Sequence, residues 1–165
     1  MTGAAVLILG LVTLQRLAEL WLSNRNTRRL LDQGAAEFGA RHYPLLVGLH
    51  MAWLAALWWW APGRAVNVPL LLVFVLLQIG RIWVIATLGG RWTTRIIVLH
   101  DAPLVRSGPY RFLAHPNYVI VALEIAVLPL VFGLVELALV FTMLNAAMLW
   151  VRIHAEEQAL ESRRR

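Results

Sequence analysis

Residues 108–118, GPYRFLAHPNY, hold the side chains best suited to binding a polar small molecule. A residue before proline avoids helical geometry, so His115 should lie outside a helix that begins at Pro116. The free N–H groups and positive dipole end of that helix would form a carboxylate or anion site. Tyr110 and Tyr118 offer flat faces with hydroxyl tips, suited to stacking on a purine and bonding a ribose. His115 can donate or accept a hydrogen bond near neutral pH.

A second polar group lies toward the C-terminal end of the last apolar segment. Asn145, Arg152 and Glu156 recur at i, i+7 and i+11, which places them on one face of a helix. Arg152 and Glu156 are also an i, i+4 pair. This face directs Glu156 and its neighbour Glu157 toward the mouth of a predicted cavity.

Several charged side chains fall inside apolar segments, where each costs at least about 2.5 kcal/mol at a helix centre. Counted at 1.5 Å per residue, Arg16, Arg81, Glu124 and Asn145 lie within roughly 10–12 Å of one membrane surface. A polar cavity that opens to the cytoplasm would explain this shared depth. The alternative is that these side chains snorkel to the membrane surface or pair with one another between helices. The i, i+3 pair of Arg16 and Glu19 favours this alternative. Glu124 and Asn145 favour the cavity, because neither side chain snorkels.

Membrane-spanning helices are the elements predicted to position these residues. Hydrophobic residues make up 60% of the 165-residue chain and charged residues 15%, against about 45–50% and about 25% in soluble domains. We predict an all-α integral membrane protein, a single domain over residues 1–165 with a bundle of about five transmembrane helices and a cofactor pocket on the cytoplasmic side. The predicted spans are 4–23, 43–61, 67–88, 117–132 and 134–153.

The connections between the spans give few further structural signals. Residues 24–42 are predicted to contain a short interfacial helix, NTRRLLDQ, that ends at Gly34. Neither a GxGxxG motif, a P-loop nor a sustained period-two alternation occurs, so we predict no sheet and no Rossmann domain. The chain lacks cysteine, which excludes thiolate ligands, and we predict no metal site.

Arginine supplies all fifteen basic residues, and the formal net charge is +6. Thirteen of these arginines fall in residues 24–42, residues 81–115 and the C-terminal end. The positive-inside bias then places the N-terminus outside and the C-terminus in the cytoplasm. Because the arginines cluster at the ends of apolar spans, we expect membrane orientation and no nucleic-acid partner.

These motifs together resemble the isoprenylcysteine carboxyl methyltransferase (ICMT) family. The resemblance rests on GPYRxxxHPNY, on Glu124, and on RxxxEE at Arg152, Glu156 and Glu157, and it covers about residues 80–160. It implies a membrane enzyme that uses S-adenosyl-L-methionine without a Rossmann domain and releases S-adenosyl-L-homocysteine. The N-terminal RLAELWLSNRN and EFGARHYP are similar to a bacterial branch often linked to type III polyketide synthases. That likeness implies a bacterial inner membrane and an alkylpyrone or phenol hydroxyl as acceptor, rather than a prenyl-cysteine carboxylate.

The resemblance also implies roles for individual residues. The expected cofactor-binding residues are Tyr110, His115, Pro116, Asn117, Tyr118, Glu156 and Glu157. Arg152 matches an active-site arginine, and we expect the acceptor to approach it, Glu124 and Asn145 from the bilayer. If the acceptor is a hydroxyl, Glu124 or His115 is the nearest candidate base. Ala114 stands where the family usually has arginine before His-Pro, and Arg111 is the candidate substitute.

The sequence therefore predicts methyl transfer from S-adenosyl-L-methionine to a lipidic or prenylated acceptor that enters from the surrounding membrane lipids. A phospholipid N-methyltransferase is one alternative, because that family shares a similar His-Pro-x-Tyr and paired-Glu pattern. A non-enzymatic small transporter or lipid carrier is another. A transport path would need polar residues near the outer surface and commonly an inverted repeat, and the sequence shows neither.

Overall fold

The computed structural model describes residues 2–99, 102–103 and 105–161. Over these residues the chain forms five α-helices and one antiparallel pair of short strands. The elements are α1 (Thr2–Asp32), β1 (Ala36–Phe38), α2 (Tyr43–Trp60), α3 (Val68–Leu88), β2 (Ile96–Val98), α4 (Pro116–Val131) and α5 (Val135–Glu161), with 3-10 turns at Gly89–Arg91 and Gly108–Arg111. The predicted helical bundle without a Rossmann domain is confirmed.

Three of the helices are long and apolar enough to cross a membrane: Gly3–Asp32, Val68–Arg91 and Val135–Ala159. α4 is a shorter apolar helix of 16 residues, and α2 has 18 residues. Large apolar side chains such as Leu72, which is 61% exposed, cover the outside of the bundle. Such a surface would be unstable in water and is expected where side chains face lipid, so the protein is an integral membrane protein.

Helix boundaries correct the prediction at both ends of the chain. α1 continues without a break to Asp32, so the predicted separate helix NTRRLLDQ is wrong, and residues 26–32 form the last turns of α1. Gly34, at a φ of 85°, follows after Gln33, in the left-handed conformation that commonly ends a helix. α5 extends to Glu161, about two turns beyond the predicted end of the fifth span.

A small sheet joins two connections on the side of the bundle where α1 ends. β1 pairs with β2 in the register Ala36–Val98 and Phe38–Ile96, and Ile96 and Val98 pack with Ala159 of α5. The prediction of no sheet is wrong for this pair. Each strand has three residues, which is too short to show the period-two pattern on which that prediction relied.

The start of α4 confirms the prediction from the His-Pro pair. The helix begins at Pro116, and His115 precedes it outside helical geometry. At the opposite end of α4, the Val131 carbonyl accepts a bond of 2.8 Å from the Asn67 backbone N–H, and Gly133 turns the chain at a φ of 68°. The buried apolar core joins all the longer helices in this far half of the bundle. The near half carries the polar side chains described next.

Candidate functional site

A closed network of charges crosses the middle of the bundle. Arg81 of α3 donates to both oxygens of Glu19 at 2.5 and 2.7 Å and to Glu124 of α4 at 2.9 Å. Arg16 of α1 donates to Glu19 at 2.9 Å and to Glu124 at 2.8 Å. Gln78 donates to the second oxygen of Glu124 at 2.7 Å. Two cations therefore neutralise two anions across three helices, and Glu124 is only 1% exposed.

The predicted polar cavity shared by these charged groups is replaced by direct pairing between them. The Arg16–Glu19 pair, which was the alternative to a cavity, forms, and Arg81 and Glu124 join it. Their polar atoms bind one another, because a buried charge is costly unless another charge satisfies it. The open space lies beside the network, in two adjoining cavities.

The first, here named the loop-side cavity, has a volume of about 440 Å³. The α3–α4 connection, the start of α4 and the end of α5 form its wall. Among the described residues, its lining holds one carboxylate and four arginines: Glu156, Arg91, Arg95, Arg106 and Arg152. Arg95 is paired with Glu37 at 2.7 Å, so the rest of this described lining is positive and suits a ligand that carries a carboxylate.

Three side chains in the loop-side cavity form a connected group. The Tyr118 hydroxyl donates to Glu156 at 2.6 Å, and His115 Nδ1 lies 3.6 Å from the same oxygen. The His115 and Tyr118 rings stack, with centroids 5.4 Å apart and planes at 14°. Burial, and to a smaller extent the negative charge of Glu156, raises the pKa of Tyr110 to about 12. The Tyr110 hydroxyl therefore stays protonated near neutral pH. Glu156 is thus held where a ligand hydroxyl could bind its free oxygen.

The second, here named the helix-side cavity, has a volume of about 430 Å³ and lies among α1, α2, α4 and α5. Most of its lining is apolar and aromatic, and it follows α2 from Tyr43 to Trp58. That length corresponds to roughly 22 Å of helix. Its shape and chemistry therefore suit an elongated apolar molecule.

Four residues line both cavities, and we call this place the junction: Trp92, Asn117, Tyr118 and Arg152. Within the described part of the chain, Trp92 Nε1, Asn117 Oδ1 and Arg152 Nε have no hydrogen-bond partner. The Arg152 guanidinium lies 5.6 Å from the centre of the Tyr118 ring. Three of the seven unpaired buried polar atoms of the described chain thus lie where the polar cavity meets the apolar one.

Most predicted cofactor residues come together in this arrangement. Tyr110, His115, Asn117, Tyr118 and Glu156 line the loop-side cavity, as does Ala114. The residues that do not line it are Pro116, which is buried at the helix start, and Glu157 and Arg111, which are exposed.

Among the predicted catalytic residues, only Arg152 lines a cavity. Glu124 belongs to the charge network, and Asn145 is buried with its Oδ1 unpaired among the described residues. The predicted Arg152–Glu156 pairing is also not formed in the described chain, where Glu156 binds Tyr118 instead. The catalytic roles predicted for Glu124 and Asn145 therefore remain predictions, because neither residue lines a cavity in the described chain.

Several lining residues were not predicted from the sequence. Trp92 lies at the junction because Asn26 of α1 donates to the Gly89 and Trp92 carbonyls at 3.2 and 2.8 Å. Ser23 likewise binds Thr94. Ser23 and Asn26 in WLSNRN, at i and i+3 on the buried face of α1, were the available signal.

Comparison with known proteins shows which family this chain resembles. The family model described as "Isoprenylcysteine carboxyl methyltransferase (ICMT) family" matches residues 70–162. The chain is 34% identical over 167 residues to "Uncharacterized protein YpbQ" of Bacillus subtilis (strain 168), an alignment that covers 94% of this chain and 95% of that protein. No solved structure matches the chain. Because the family match spans more than half of the sequence and includes both cavity-lining motifs, this chain belongs to the isoprenylcysteine carboxyl methyltransferase family.

Proposed function

We propose that this protein transfers a methyl group from S-adenosyl-L-methionine to an oxygen of a lipidic acceptor at the junction of its two cavities. Membership of the family suggests a membrane methyltransferase. The observation that carries the finer proposal is the junction itself, where Arg152, Tyr118, Asn117 and Trp92 line a polar and an apolar cavity together. A water-soluble donor and a lipid acceptor need adjoining sites of this kind.

The residues of the loop-side cavity fit S-adenosyl-L-methionine. Bound there, this cofactor would supply an electrophilic methyl group on a sulfonium. The aromatic faces of His115 and Tyr118 suit its adenine, and Glu156 suits its ribose hydroxyls. Arg91 and Arg106 of the lining, together with the Asn117 N–H and the positive dipole end at the start of α4, suit its carboxylate. The unpaired Oδ1 of Asn117 supports the same assignment, because the described chain itself leaves it without a partner.

The helix-side cavity fits the hydrocarbon part of the acceptor. Apolar side chains of α2 and α4 would bind its chain, and the surrounding wall would exclude water from the junction. The acceptor is either an isoprenylcysteine-type carboxylate or an alkylpyrone or phenol hydroxyl. The lipidic substrate would enter from the bilayer between helices.

Arg152 is the residue that we assign to the acceptor oxygen. A guanidinium beside an acceptor group favours its ionised form, so it would hold a carboxylate, which is already ionised at neutral pH. A phenol would bind there as the phenolate, after its proton has passed to solvent water. Neither acceptor then needs a base within the bundle. Glu124 is less suited to that role, because Arg16, Arg81 and Gln78 already occupy its oxygens.

We infer the orientation from charge. The loop-side cavity, the ends of α1 and α5 and most of the described arginines lie on the same side of the bundle. The positive-inside bias makes this the cytoplasmic side, with the N-terminus outside, and the bacterial inner membrane is the proposed location. S-adenosyl-L-methionine would then be drawn from the cytoplasm.

Calorimetric titration of the detergent-purified protein with S-adenosyl-L-homocysteine tests the proposal. Glu156→Gln should weaken binding about tenfold, because a charged acceptor shared by Tyr118 and His115 becomes a neutral amide. His115→Ala should also weaken binding. Glu157→Gln is the matched control, since Glu157 is exposed and lies outside the cavity lining.

The titration distinguishes a wrong activity from a wrong binding site. Absence of binding by the unmodified protein at millimolar ligand would end the methyltransferase proposal. Equal affinities for Glu156→Gln, His115→Ala and the unmodified protein would retain the activity but refute the site.

A further inference from the structure

His50 of α2 lies in the wall of the helix-side cavity, among apolar neighbours. Its Nδ1 is 2.9 Å from the carbonyl oxygen of Leu46. A carbonyl can only accept a hydrogen bond, so Nδ1 carries the proton. Because a charge is costly to bury among apolar groups, we expect a neutral ring, in which Nε2 keeps a free lone pair. The ring is only partly buried, and no hydrogen bond reaches Nε2 from the residues that the structure describes.

Away from the junction, the other side-chain acceptors of this cavity each already have a hydrogen-bond partner in the described chain. The oxygens of Glu19 belong to the charge network. Tyr43 and Thr94 bind each other at 2.9 Å, and the Thr13 hydroxyl accepts from Trp58 at 3.0 Å. The lining residues with unpaired buried atoms here are Arg16 and Trp53, and both atoms are N–H donors. His50 Nε2 is therefore the free acceptor that a bound lipid would meet in this part of the described cavity.

The position of His50 along the cavity defines where the lipid would be contacted. Tyr43 lies at the junction end, because it binds Thr94, two residues after Trp92. His50 is seven residues further along α2, a rise of about 10 Å. A lipid with its reacting oxygen at the junction and its chain along α2 would thus place a point within its hydrocarbon part beside His50.

We propose that His50 accepts a hydrogen bond from a hydroxyl group on the inserted part of the acceptor lipid. The enzyme would then favour a lipid that carries this hydroxyl over one whose inserted part is hydrocarbon only. His50 acts as a specificity residue, and the proton stays on the lipid. This inference rests on the proposed function, because it takes the helix-side cavity as the acceptor site.

Two probe lipids test the inference by direct binding. One is a para-alkylphenol with a hydroxyl on the third chain carbon from the ring. The distance between its phenol oxygen and its chain hydroxyl oxygen is about the same as the rise along α2 from Tyr43 to His50. The other is the same alkylphenol without the chain hydroxyl. Quenching of tryptophan fluorescence in detergent gives both dissociation constants without turnover, since Trp53, Trp58 and Trp92 line the cavity.

The unmodified protein should bind the hydroxylated lipid about threefold to tenfold more tightly, as expected for one neutral hydrogen bond. His50→Leu and His50→Phe should both abolish that preference, and His50→Gln should retain part of it through its amide oxygen. His154→Leu is the matched control. His154 makes the same ring contact with the carbonyl four residues earlier, at 2.8 Å, but is exposed and lines neither cavity.

Equal binding of the two lipids by the unmodified protein would overturn the inference. So would a preference for the hydroxylated lipid that persists in His50→Leu or His50→Phe, whichever of these variants folds. Titration of the same samples with S-adenosyl-L-homocysteine separates this result from the proposed function. His50→Leu should leave that affinity unchanged. An unmodified protein that fails to bind S-adenosyl-L-homocysteine refutes the proposed function, whatever its lipid preference.

Discussion

Removal of the Glu124 charge is the most decisive perturbation of the buried network. Glu124 accepts from Arg16, Arg81 and Gln78 at 2.7–2.9 Å while only 1% exposed. In Glu124→Gln, the two arginines share Glu19 alone, and one positive charge is left uncompensated in the bundle. Breaking a buried ion pair costs about 3–5 kcal/mol. For a chain of this length that corresponds to a fall in Tm of roughly 6–20 °C.

Thermal unfolding in detergent, followed by tryptophan fluorescence, measures this effect. Glu136→Gln is the matched control, because Glu136 is exposed in the first turn of α5 and should change Tm by no more than about 2 °C. The double variant Glu124→Gln with Arg16→Gln restores neutrality and should recover part of the loss.

The same experiment decides between two roles for Glu124. A Tm for Glu124→Gln within about 2 °C of the unmodified protein would refute a stabilising network. If methyl transfer were lost at that unchanged Tm, the catalytic role predicted from the sequence would stand instead. A large fall in Tm with normal binding of S-adenosyl-L-homocysteine by the folded fraction would support the network.

The remaining predictions concern the loop-side cavity. Asn26→Ala removes two hydrogen bonds to the α3–α4 connection and should lower stability by about 1–3 kcal/mol in the same thermal assay, whereas Asn24→Ala, at an exposed position two residues earlier, should have little effect. A Tm for Asn26→Ala equal to that of Asn24→Ala would contradict this. Tyr118→Phe keeps the ring but releases Glu156, so its affinity for S-adenosyl-L-homocysteine should fall about tenfold by calorimetry. Unchanged affinity would show that the hydroxyl does not help to position Glu156.

The sequence predicted the features that depend on local rules. The His-Pro pair placed the start of α4 at Pro116, because proline restricts the residue before it. Long apolar segments predicted the helices within a few residues, except where α1 and α5 continue past their predicted ends. Those extensions are polar, and hydropathy marks only where a helix leaves the apolar region.

Motif resemblance brought together residues that are far apart in the chain. Tyr118 and Glu156 are separated by 38 positions, yet they share a hydrogen bond of 2.6 Å. Glu157 and Arg111 belong to the same segments but point away from the cavity. Spacing defines a set of neighbours on a helix, whereas exposure depends on the side of that helix that packs against the rest of the bundle.

What the sequence by itself determined was the position of each polar group along its helix, because apolar length sets where a helix begins and ends. Only the tertiary structure decided which groups meet, since this depends on how each helix is rotated and which helices adjoin it. Glu124 therefore turned toward two arginines rather than toward a cavity, while His50 and Trp92, with no motif to mark them, came to line the space beside Arg152.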